Sequence, residues 1–405
     1  MDPLAVHTGS PVCDTGRQEG SGEEQAVWES ERLSQIPVRV FRGHTDAVTC
    51  CHFCFEDSKF LSCSHDRTAR LWDISTGKVV HVFGDEHTAP ISECNITSDN
   101  LRMITSSYDK TVKCWDMQTG KVLWSVSLEG LVTSCNVSAD GKRVVCSLDV
   151  ENALHVIDAT TASTVTSLNG HHASTVTRCC FDPECQRVCS VSSDGAIKLW
   201  DMAAQHTTVT IHQAHSNVIS DCGFSLNGRR LCTASWDKTL KLWDINTGEF
   251  RHGAADTLYG AHKGSISACE FSKDASILVS GGHDKAIALW DADASCKKLI
   301  LKGHDDWVLD VSISNDKEWI LSSSKDTTLR LWNIQQYEQI PAVIQNKKAI
   351  GSRVARCEHC DKTFAIMHWD DSKLATCVFC RLTLPLLTRN VGPLPLCLVF
   401  NKTCM

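Results

Sequence analysis

A histidine, an aspartate 22 residues further on and a tryptophan six residues after that recur six times in this chain. The sets are His44/Asp66/Trp72, His87/Asp109/Trp115, His172/Asp194/Trp200, His215/Asp237/Trp243, His262/Asp284/Trp290 and His304/Asp326/Trp332. Six copies with one internal spacing mean a single supersecondary unit used repeatedly. The closing positions lie 42–43 residues apart, with Ile157 standing in for one tryptophan, and widen to 47 only before Trp290. A unit of that length cannot bury its own apolar face, so the copies must pack on one another.

Within each unit the pattern is short period-2 runs broken by turn residues. In the fifth, Val218–Phe224 alternates, Ser225–Gly228 turns, Arg230–Ala234 alternates, Trp236–Lys238 turns and Thr239–Trp243 alternates again. A fourth run follows the Trp-Asp dipeptide, as in Lys78–Phe83 and Lys121–Val126. Such runs bounded by Asn, Gly and Asp are half-buried antiparallel strands. Four per unit predict the blades of a β-propeller.

The third unit, about residues 128–158, departs from the rule. It keeps Asp149 and ends on Ile157-Asp158, but has no histidine and no tryptophan, and Val145 stands four residues before its aspartate. The strand pattern survives, so it counts as a degenerate blade and the total becomes seven. Two runs compete to close the ring: Ile36–Phe41, which precedes the first unit, and Ile340–Ile344, which follows the last. The amino-terminal run is favoured, because pairing it with the strand ending at Trp332 removes two exposed edges at once.

With its dipeptides Gly43-His44, Gly303-His304, Trp72-Asp73, Trp115-Asp116, Trp200-Asp201, Trp243-Asp244 and Trp290-Asp291, the chain resembles the WD-repeat (WD40) family. The resemblance covers roughly three-quarters of it. It implies an all-β, seven-bladed toroid over residues 36–346, with a hydrogen-bonded set of histidine, aspartate, Ser/Thr and tryptophan inside each blade. The residues support this directly. Ser62, Thr105, Ser190, Thr233, Ser280 and Ser322 each stand four before an aspartate. A buried indole N–H only donates, and a neighbouring hydroxyl offers the acceptor it needs. These polar sets are therefore read as structural fasteners. A hydrolase triad uses the same residue types, but an enzyme needs its active site once.

Composition narrows the function classes. Of the formal net charge of −8, five units sit in residues 1–35, an acidic stretch read as a disordered tail. The rest is too nearly neutral for nucleic-acid binding by bulk charge. No run of 18 apolar residues exists to span a membrane, and the first residues lack the form of a signal peptide. An intracellular, cytoplasmic setting is expected, with the nucleus as an alternative, and there the 23 cysteines should stay reduced.

Beyond the repeats, Cys357/Cys360 and Cys377/Cys380 form two C-x2-C pairs separated by sixteen residues. That spacing fits a four-thiolate structural Zn2+ site within residues 355–383. All four ligands are thiolates, so no position stays open for catalysis. No organic cofactor is expected. Residues 384–405 are apolar and proline-bearing without periodicity, and are read as an unstructured tail.

The residues flanking the aspartates should share one rim with the histidines. His65, Arg67, Tyr108, Lys110, Trp236, Lys238, His283, Lys285 and Lys325, with Trp307 nearby, set cations beside aromatic or imidazole rings. That suits an acidic segment of a partner protein, although Asp-Lys-Thr also simply makes a good turn. The expected function is a non-catalytic protein–protein interaction scaffold. A cullin-type ubiquitin-ligase receptor is an alternative, weakened because Ser75, Gln118, Ala203, Asn246 and Asp293 stand where such receptors often carry arginine two residues after Trp-Asp. A ribonucleoprotein role is another, resting on Arg353, Arg356, Lys362 and Lys373 near the cysteine pairs, with few stacking rings.

Overall fold

The computed structural model describes residues 29–30, 36–245, 255–336, 354–356 and 363–365. Among them the alternating runs form seven antiparallel sheets, each with its first strand innermost. Blade one runs from Val48–Cys54 through Lys59–Ser64 and Ala69–Asp73 to Val79–Phe83. Blades two to six begin at Ile91–Ile96, Val132–Val137, Val176–Phe181, Ile219–Phe224 and Ile266–Phe271. Blade seven is built from Val308–Ile313, Trp319–Ser324 and Leu329–Asn333. Its fourth strand is Pro37–Phe41, paired antiparallel with Val38 opposite Trp332 and Phe41 opposite Leu329. Of the two runs weighed for closure, the amino-terminal one therefore seals the ring; Ile340–Ile344 lies outside the described residues. The stretch read as an acidic tail is not wholly without structure, since Glu29–Ser30 adds a short strand outside Pro37–Phe41.

The innermost strands touch one another all the way round, the seventh against the first included. Their second residue explains how. Thr49, Ser92, Thr133, Thr177, Ser220 and Ser267 each donate a hydroxyl to a carbonyl of the next blade's innermost strand (Ile91, Val132, Val176, Ile219, Ile266 and Val308), at 2.5–2.9 Å. Leu309 holds the matching place in blade seven and has no hydroxyl to give. There Asp310 accepts the Cys51 N–H at 3.0 Å, and Asp57 accepts both the N–H and the side-chain amide of Asn315. The closing junction is thus tied by carboxylates and the shared sheet.

Apolar clusters fill the wedges between blades, and six tryptophans are the largest side chains in them, each at most 2% exposed. Most described cysteines are buried as small hydrophobes, Cys185 and Cys296 being half-buried. No helix among the described residues is long and apolar enough to cross a membrane.

Blade three keeps the fold and corrects one sequence reading. Cys146 pairs with Cys135 as Thr105 pairs with Cys94 and Ser190 with Cys179. Cys146, not Val145, therefore occupies the hydroxyl position. The strand ends at Leu148 in register with Ser107 and Ser192, but Asp149 follows it directly, one residue sooner than the aspartates of those blades follow theirs, so counting back from the aspartate lands one place off. Gly130 takes the histidine's place, and a Cβ there would meet Asp149 Oδ1 at 2.7 Å.

Candidate functional site

The six repeated polar sets are internal. In blade one the His44 Nδ1–H donates to Asp66 at 2.7 Å, and Nε2 accepts from the Ser62 hydroxyl at 2.7 Å. The same oxygen accepts the Trp72 indole N–H at 2.8 Å. This tautomer is the one that satisfies every member of the chain. Equivalent His–Ser/Thr bonds recur at His87–Thr105, His172–Ser190, His215–Thr233, His262–Ser280 and His304–Ser322, all 2.8 Å. Trp115, Trp243, Trp290 and Trp332 donate as Trp72 does, at 2.8–3.0 Å.

Each aspartate also accepts the N–H of the residue after the histidine, such as Thr45, Thr88, Ser216 and Asp305. Burial alone would raise the Asp66 carboxyl; the bond and charge of His44, with Thr68 and the Thr45 N–H, overcome it and hold the group well below the usual range. Asp109, Asp194, Asp237, Asp284 and Asp326 are lowered too, again against burial. The hydroxyl between histidine and tryptophan is fully buried in every set. A nucleophile so enclosed meets no substrate, and the sets hold loop to strand.

The surface they hold is the rim. Tyr108, Trp236 and Trp307 are 38–43% exposed. Trp236 lies 6.1 Å from His283, which stacks on Trp307 at 4.3 Å with 16° between planes. Lys325 Nζ also lies over the Trp307 ring, 4.5 Å from its centroid. On blades one and two, His65 and Tyr108 lie 6.3 Å apart. The rings and cations thus occupy consecutive sectors, five, six, seven, one and two, while Leu148 and Ser193 leave three and four plain.

Arg67, Lys110, Lys238 and Lys285 share a further property. Their φ angles are +66° to +70°, the left-handed region that favours glycine. Blade four uses Gly195 there, where a Cβ would meet the His215 carbonyl at 2.7 Å. Four blades accept the backbone cost and gain a long cation on the rim.

Sequence reasoning missed the central channel. A cavity of about 520 Å3 is lined by His52, Glu93, Arg178, Asp221, Glu270 and Asp310, all on innermost strands. Arg178 spans it, reaching Glu93 at 3.0 Å and Asp221 at 2.9 Å. The carboxylates also tie blades together: Glu93 accepts the Cys135 N–H, Asp221 that of Cys269 and Glu270 that of Ile313. Burial pushes Glu93 up to about 7 despite Arg178. The signal was present: charged residues inside runs such as ISECNI and VTRCCF, which are otherwise strands with a buried face.

Cys357, Cys360, Cys377 and Cys380 lie outside the described residues. A short antiparallel ladder, Val354–Arg356 with Thr363–Ala365, brackets the first pair in sequence.

Comparison with known proteins agrees with this architecture. A family model described as "WD domain, G-beta repeat" matches residues 35–73, 77–116, 162–201, 206–244, 256–291 and 295–333. The gap between 116 and 162 contains the degenerate blade. WD repeat-containing protein 88 of Homo sapiens is 51% identical over 386 residues, covering 94% of this chain and 82% of that protein. More local similarity links the chain to the small ribosomal subunit protein RACK1 of Saccharomyces cerevisiae, 44% identical over 43 residues (11% of this chain, 14% of that one). The guanine nucleotide-binding protein subunit beta of Arabidopsis thaliana is 37% identical over 59 residues, 14% of this chain and 16% of that protein.

Proposed function

The chain belongs to the WD40-repeat family of propellers, which generally bind other proteins, and from that premise we propose that it is a non-catalytic scaffold whose rim holds an acidic segment of a partner protein. The observation that carries this reading is the Trp236–His283–Trp307–Lys325 stack. Exposed aromatic side chains bring large contact area at low entropic cost, and Lys238, Lys285 and Lys325 supply charge for a carboxylate or phosphate. The enclosed hydroxyls argue against hydrolysis at the repeated sets. A cullin-receptor role and an RNA-binding role gain no support from this arc. The setting is intracellular, in the cytoplasm or nucleus.

The four carboxyl-terminal cysteines form, in this proposal, a structural zinc element that follows the propeller in sequence. Their spacing supports it, and in sequence Cys357 and Cys360 fall between the paired segments Val354–Arg356 and Thr363–Ala365. Affinity capture from cells tests the scaffold reading. Replacing Trp236 and Trp307 by alanine should remove the partners that the intact chain retains, and an unchanged set would refute the rim as the binding surface.

A further inference from the structure

We propose that Cys50, His52 and Asp310 form a transition-metal site of zinc type on the channel wall, with its remaining position open to the central cavity. Cys50 and His52 are two residues apart on the innermost strand of blade one, so both project to the same side. Asp310 comes from the innermost strand of blade seven. The Cys50 sulfur is 3.2 Å from His52 Nε2, and all three donor atoms lie within 4.8 Å of one another. Zinc bonds of about 2.3 Å to sulfur and about 2.0 Å to nitrogen separate tetrahedral donors by about 3.5 Å. Shifts of about an ångström therefore bring the three onto one ion.

The surroundings suit a dication. A thiolate and a carboxylate neutralise it, which matters where burial opposes any lone charge. Asp310 is oriented by the N–H groups of Cys51 and Val311, both at 3.0 Å, as carboxylate ligands usually are. His52 and Asp310 line the 520 Å3 cavity, which gives the ion a path and leaves room for a water as fourth ligand. Cys50 also belongs to an all-sulfur group with Cys63 and Cys94. Those three thiols are fully buried, whereas an ion entering by the cavity meets the imidazole and carboxylate first.

This site is independent of the rim and of the carboxyl-terminal cysteines, and the test keeps them apart. Cobalt(II) is titrated anaerobically into the full chain carrying Cys357→Ser, Cys360→Ser, Cys377→Ser and Cys380→Ser. One equivalent should bind with a thiolate-to-cobalt absorption band, and X-ray absorption should show one sulfur among nitrogen and oxygen neighbours. Cys50→Ser should abolish the band, and His52→Gln or Asp310→Asn should weaken binding at least tenfold, with the near-ultraviolet signature of the buried indoles intact. If Cys50→Ser does not fold, the sulfur count and the cobalt-induced rise in melting temperature of the parent decide. Failure of the folded parent to bind cobalt, or a site with three sulfurs, overturns the assignment.

Discussion

His172 Nδ1 stands 3.5 Å from the Asp194 carboxylate, whereas the matching nitrogen lies 2.7–3.0 Å from its aspartate in the other five sets. It is also a buried nitrogen without a hydrogen-bond partner. Blade four thus carries the loosest fastener, and it adjoins blade three, which has none. The sector with the fewest polar fasteners is also the one whose rim lacks aromatic residues.

Backbone amides in the strands of blades three and four should exchange with solvent sooner than those of blades one, two and seven. Exchange followed by mass spectrometry checks this. Uniform protection around the ring would show that the histidine–aspartate sets do not decide local stability.

Acid should act first on the same sector. Burial, helped by the nearby His172 and Lys198, lowers His171 to about 4, and burial lowers His172 to about 4 against the pull of Asp194. Below about pH 6.5 the unfolded chain takes up protons that the folded chain refuses, so these groups destabilise the fold as pH falls from about 6.5 to 4, by on the order of 3 kcal/mol for each. Carboxylates such as Asp66, held low in the fold, remove further stability only below about pH 4. Denaturant melts of the wild type and of a His171→Gln/His172→Gln variant should diverge across the upper window, the variant losing less as the solution acidifies.

Ser322→Ala should cost on the order of 2 kcal/mol, because it leaves both the Trp332 N–H and His304 Nε2 without their shared partner. Urea denaturation reads this as a lower midpoint at unchanged slope.

Ring closure depends on Val38, fully buried opposite Trp332. Val38→Asp should detach the strand, expose the edge of Leu329–Asn333 and drive self-association. Size-exclusion chromatography with light scattering measures it, and a monodisperse monomer of wild-type stability would contradict the closure.

In a Cys50→Ser background, where the channel site does not contribute, the chain should carry one zinc on its carboxyl-terminal cysteines, lost on adding Cys377→Ser without a change in the propeller's melting temperature. Metal analysis of the purified variants is the readout.

The toroid was legible because a fixed interval repeated six times constrains a fold more tightly than any local propensity; it carried six blades and their strand order, and the surviving strand pattern of residues 128–158 added the seventh. The identity of the closing strand was less legible: Ile36–Phe41 and Ile340–Ile344 read alike, and only pairing with Leu329–Asn333 distinguishes them. Cys146 was misplaced for a related reason, since a one-residue loss before Asp149 is invisible when one counts from the aspartate. The channel charges escaped because Glu93 or Arg178 in a single strand looks like ordinary polar alternation. Their meaning comes from meeting across the axis residues that are 40 or more positions away.

The most direct measurement separates fasteners from working surface in one experiment. Thr233→Ala, inside blade five, and the pair Trp236→Ala/Trp307→Ala, on the rim, are each assayed for unfolding midpoint and for capture of cellular partners. The account predicts that Thr233→Ala lowers the midpoint and keeps the partners, while the rim pair keeps the midpoint and loses them. Loss of partners in the stably folded Thr233→Ala protein, or their retention by the rim pair, would contradict it.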